Sequence, residues 1–131
     1  MKYLVLIYSN PRGWGHPSFL RVPEAHAMPE AARAEMSAQF EALMNEITES
    51  GELIGGEALA APESTRTVRV RGDVPATTDG PYAEAKEHLA GYFLLDCASF
   101  ERATELAARF PDARFGAVEV RPIWTGEAGG R

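Results

Sequence analysis

One cysteine, three histidines and no long apolar run are what this chain has least of, and each scarcity removes a class of protein. Cys97 alone cannot form an intrachain disulfide, so the core must hold the fold, and a reducing, cytoplasmic setting is expected. His16, His26 and His88 stand at no metal-ligand spacing, and neither HExxH nor CxxC occurs, so no metal site is expected. The G-x-S-x-G elbow, the phosphate loop and the dinucleotide fingerprint are missing too, so no cofactor is expected. No stretch approaches the ~20 apolar residues of a membrane helix. The opening MKYLVLIYSN runs into NPRGWG rather than a small-residue cleavage site and reads as a strand, not a signal peptide. Positive charge is also in deficit: 13 Lys and Arg against 19 Asp and Glu leave a net charge of −6, which repels phosphate backbones and argues against nucleic acid as a partner.

What is present is the pattern of one small α+β domain over 1–124, with a frayed tail at 125–131. Tyr3 to Tyr8 is apolar at consecutive positions, the mark of a central strand covered on both faces. A proline- and glycine-rich stretch over 9–28 follows, longer than the usual connection and carrying Trp14, His16 and Phe19. Met36, Phe40, Leu43, Met44 and Ile47 then recur at helical spacing until Gly51, which predicts a helix opened by Pro29 with these side chains in the core. Leu53 to Leu59, Thr65 to Arg71, Val74 to Thr78, Gly91 to Cys97 and Phe115 to Trp124 read as strands, with Gly72-Asp73 turning the third into the fourth. Ser99 caps a second helix that Pro111 stops.

Two helices cover one face of an antiparallel sheet, yet Leu4 to Tyr8 and Tyr92 to Leu95 call for cover on both. A second copy packed face to face supplies it. The expected architecture is therefore a ferredoxin-like βαββαβ core with an extra β-hairpin, in a homodimer of the dimeric α/β-barrel type with a pocket between sheet and loops.

The segments LVLIYS, GELIGGEAL, TRTVRVRGD, TTDGPYAEAKEHLAGYFLLD and ARFGAVEVRPI together resemble the YCII-related proteins of the DGPF type, named for an Asp-Gly-Pro-Phe motif. The resemblance spans nearly the whole chain and implies the same dimeric ferredoxin-like fold. It departs at Tyr82, which replaces the motif's phenylalanine, and in a longer loop over 16–26. The resemblance also implies a His-Asp pair with its histidine on the first helix, a position that falls on Phe40 here. Some relatives are linked to alternative sigma factors, which implies an accessory or sensory module with a protein partner in transcription as the alternative to an enzyme.

The candidate site gathers around DGPY. Asp79 and Glu57 are the candidate acid-base residues, Lys86 the anion partner, and Tyr8, Tyr82, Trp14 and His16 the ligand-binding walls; Glu84, Glu87 and His88 crowd the same segment. For Asp79 the bland alternative is a turn residue, since Asp-Gly before Pro is a turn signal. Glu57 shares a face with Leu53 and Leu59 if its strand is regular, where desolvation would raise its pKa, and turns outward if Gly55-Gly56 is a bulge. Together these predict a pocket for a small polar or anionic molecule, with acid-base chemistry at its rim.

Overall fold

The structure, a computed structural model, describes residues 1–83 and 85–126. Glu84 and most of the expected tail, from 127 onward, lie outside the described residues. Strand β1 (Lys2–Ser9) leads through the long loop, with its short helix α1 (Pro23–His26), into α2 (Glu30–Glu49). Strands β2 (Leu53–Ala58), β3 (Arg66–Arg71), β4 (Val74–Asp79) and β5 (His88–Asp96) follow, then α3 (Phe100–Ala107), α4 (Asp112–Phe115) and β6 (Ala117–Pro122). The main sheet runs β2-β5-β1-β6 with every neighbour antiparallel, while β3 and β4 form a separate two-stranded ribbon. This is the ferredoxin-like βαββαβ arrangement with an added hairpin.

Burial along β1 alternates: Tyr3, Val5, Ile7 and Ser9 are buried, and Leu4, Leu6 and Tyr8 are half-buried. The buried set faces the helices and joins Leu43 and Ile47 of α2, Ala103 and Leu106 of α3, Leu95 and Phe110 in one core. The helical spacing read from the sequence thus places α2 correctly, with Met36 in a second cluster under the long loop beside Phe19, Val22 and Ala25. Ser99 caps α3 as its type suggests, its hydroxyl accepting from the Arg102 amide at 3.0 Å. Pro111 is not what ends that helix: α3 already stops at Ala107, and Pro111 instead precedes α4, whose turn carries Asp112 inward.

Arg102 binds Glu52 through two nitrogens, at 2.9 and 3.1 Å, and Arg109 binds Glu46 through two, at 2.8 and 2.9 Å, tying the helix layer to the end of α2. The arginines hold both carboxyls below their ordinary range, chiefly by these hydrogen bonds. The remaining cysteine, Cys97, is buried, and burial pushes its thiol up. No helix among the described residues is long and apolar enough to cross a membrane.

Candidate functional site

The largest departures from a plain sheet are the places that make room. Between Leu53 and Gly55 the β2–β5 register shifts, and beyond it Gly56 pairs with Phe93 and Ala58 with Gly91. A second irregularity, between Ile7 and Tyr8, leaves Ala90 without a β1 partner. The helix-facing side of the sheet is therefore floored at this end by Gly56, Ala58, Ala90 and Gly91. Neither glycine accepts a side chain: a Cβ on Gly56 would sit 2.6 Å from the Tyr92 carbonyl oxygen and 2.7 Å from the Phe93 ring, and one on Gly91 would sit 2.8 Å from the Glu57 oxygen.

Over this floor lies a cavity of about 380 Å³. Its walls are Phe19 of the long loop, Phe40 of α2, Phe93 of β5 and Phe110, in edge and tilted contact at centroid distances of 5.1 to 6.5 Å. Polar side chains enter from His16, Ser18 and Asp112, and Glu57 borders the cavity at the edge strand.

The loop over 9–28 is a strap with fixed anchors. Trp14 Nε1 donates to the Leu59 carbonyl at 2.9 Å, and His16 Nε2 meets the same oxygen at 2.7 Å. A carbonyl only accepts, so this ring nitrogen carries hydrogen in the contact. The Trp14 and His16 rings meet edge to face at 5.9 Å. Ser18 Oγ donates to Asp112 Oδ1 at 2.8 Å across 94 residues of sequence, and Phe19 is buried beside it.

Asp112 is 6% exposed, and among the described residues no lysine or arginine pairs with it. Burial pushes its carboxyl above the ordinary range, against the Ser18 hydrogen bond and the charge of the His16 ring, which pull it down.

The residues singled out from the sequence are dispersed. Trp14 and His16 hold the strap, and His16 lines the cavity. Glu57 is exposed at the cavity's edge; the register shift sets it opposite Tyr92, on the face away from Leu53, so the outward alternative is the observed one. Tyr8 is half-buried on that same outer face, and its hydroxyl bonds Glu119, which raises its pKa.

Asp79 ends the hairpin with its side chain 91% exposed, 3.9 Å from Arg66. The following Gly80 has φ +99, donates to Thr65 and accepts from Thr67, closing the hairpin at its base. Tyr82 folds back under Arg69, whose guanidinium carbon lies 4.7 Å from the ring centre. With Pro81, His88 and Leu89, Tyr82 borders a second hollow along 59–65, and Lys86 borders a shallow one with Ala85. Asp79 and Lys86 thus stand exposed around the DGPY segment, outside the phenylalanine cavity. Sequence reasoning missed Asp112 and the small-residue floor; Gly55-Gly56 was the one signal that pointed to the latter.

The profile of the YCII-related domain matches residues 1–126. Among curated proteins, an uncharacterized protein of Rhizobium meliloti (strain 1021) is 34% identical over 84 residues, covering 63% of this chain and 68% of that protein.

Proposed function

Since the chain belongs to the YCII-related domain family, we propose that it binds a small molecule in the phenylalanine-lined cavity and that His16 and Asp112 form the acid-base pair of that site. The observation that carries this reading is a buried carboxyl facing a cavity of ligand size, with the His16 ring lining the same cavity and anchored on the Leu59 carbonyl. An apolar pocket with a few converging polar groups and a perturbed acid is the usual form of a binding or catalytic site. Phe40, the position where the family resemblance implies a histidine, lines this same cavity, and the histidine that reaches it comes instead from the longer loop. The candidates near DGPY would then serve the hairpin and its surroundings, and Glu57 the cavity's rim.

A homodimer belongs to this reading. Leu4, Leu6, Tyr8, Tyr92 and Leu94 form one half-buried apolar face on the side of the sheet away from the helices, and a second copy would cover it. An interaction module is the second reading, favoured by the hairpin. Val68, Val70 and Val74 are 55 to 63% exposed on a two-stranded ribbon, which is marginal without a partner.

Single-ring probes titrated into labelled protein and followed by NMR separate the two. The cavity reading expects shifts at Gly56, Phe93 and the His16–Phe19 strap, abolished by Ala58→Trp. Shifts confined to Tyr82, His88 and the hairpin would overturn it.

A further inference from the structure

Resting on the cavity reading above, we propose that the ligand is a cation: a small amine, carried as its ammonium ion, whose charge meets Asp112 and whose apolar body lies among the four phenylalanines. Among the described residues the ionisable groups lining the cavity are Asp112 and His16, with Glu57 at its edge on a strand position that faces the other side of the sheet, and no lysine or arginine joins them. Asp112 is buried, and the hydrogen bonds it accepts, from the Ser18 hydroxyl and from its own backbone amide, are neutral. A carboxylate in that setting is costly until a cation or proton neutralises it. An anionic ligand would add a second negative group beside Asp112, while Arg66, Arg69, Arg71 and Lys86, which could receive one, are exposed on the hairpin and the segment after it.

The walls favour the same sign. Phe19, Phe40, Phe93 and Phe110 surround the space, and aromatic faces attract an ammonium group at short range, more strongly where water is excluded. A neutral ring of similar size would gain the apolar contacts and bring no charge to Asp112. Selection between amine and neutral isostere therefore falls on a single side chain.

Calorimetric titration with 2-phenylethylamine, 2-phenylethanol and phenylacetate at neutral pH tests this. The three probes share a ring and differ in charge. The ammonium form is expected to bind roughly 10- to 100-fold tighter than the alcohol, the gain of a charge-assisted over a neutral contact, with phenylacetate weakest. In Asp112→Asn the amine should fall to the level of the alcohol while the alcohol is unchanged. Equal or tighter binding of the alcohol or the carboxylate overturns the proposal and leaves the cavity reading standing. Failure of all three probes to perturb the cavity residues defeats both. The comparison of probes on the unaltered protein decides the matter even if the variant folds poorly.

Discussion

Removing the Phe40 ring tests whether the cavity wall and the core are one structure. Phe40 packs against both buried clusters, and its ring centre lies 5.3 Å from Phe19, 6.0 Å from Phe110 and 6.5 Å from Phe93. A fully buried phenylalanine cut to alanine costs about 3–5 kcal/mol, and each aromatic pair adds about 0.5–1.5 kcal/mol beyond its area. Phe40 is half-buried because one side borders the cavity, so part of that contact surface was never made. The expected loss for Phe40→Ala is therefore about 2–3 kcal/mol. With a urea slope of about 1–3 kcal/mol per molar, the unfolding midpoint should fall by roughly 1–2 M. Phe40→Leu keeps most of the volume and should cost less than about 1.5 kcal/mol. Equilibrium urea unfolding followed by far-UV circular dichroism measures both. A loss under about 1 kcal/mol for the alanine variant would show that the ring is not holding the two clusters together.

The other expectations concern assembly and pH. Leu6→Glu places a charge in the centre of the half-buried outer face of the sheet, so light scattering should show a dimer for the parent protein and a monomer or unfolded chain for the variant; a monomeric parent refutes the sheet-to-sheet reading. Asp112→Asn keeps an oxygen for the Ser18 hydroxyl and removes the charge. Because the folded-state pKa of Asp112 is raised, its stabilising share is full below the unfolded value and is lost as pH rises through the folded one. The variant should accordingly melt higher than the parent at neutral pH and lose that advantage near pH ~3–4, around the ordinary aspartate value. A variant that gains most in acid would reverse the sign and refute the assignment.

Local pattern was enough to determine the long helices and the six strands, though not the short helices α1 and α4 or the start of β5 at His88. Apolar residues at helical spacing from Met36 to Ile47 leave little choice but an α-helix with that face buried, and Ser99 can act as a cap from its own position. Gly72 and Asp73, both at positive φ, make the two-residue turn that fixes the register of β3 on β4. The run Tyr3 to Tyr8 signalled a central strand with two apolar faces, and β1 does lie between β5 and β6. The ferredoxin-like order follows from packing two helices on one side of such a sheet.

The candidate site was far less legible, because its parts have no relation along the chain. Asp112 sits in PDAR, a stretch that reads as the end of a helix, and it becomes a buried acid only because α4 turns it toward a strap residue 94 positions earlier. His16 could be named as a candidate, but nothing near it reveals that the Leu59 carbonyl would orient its ring. The direction of Glu57 turned on a one-residue shift of register, which reverses every side chain beyond it, and a Gly-Gly pair permits that shift without dictating it. The crowded charges after DGP suggested a site from composition alone. Sequence proximity brought Asp79, Tyr82 and Lys86 together, whereas the tertiary fold set them around an exposed hairpin and assembled the buried polar pair from the two ends of the chain, where burial rather than spacing decides which ionisable groups are perturbed.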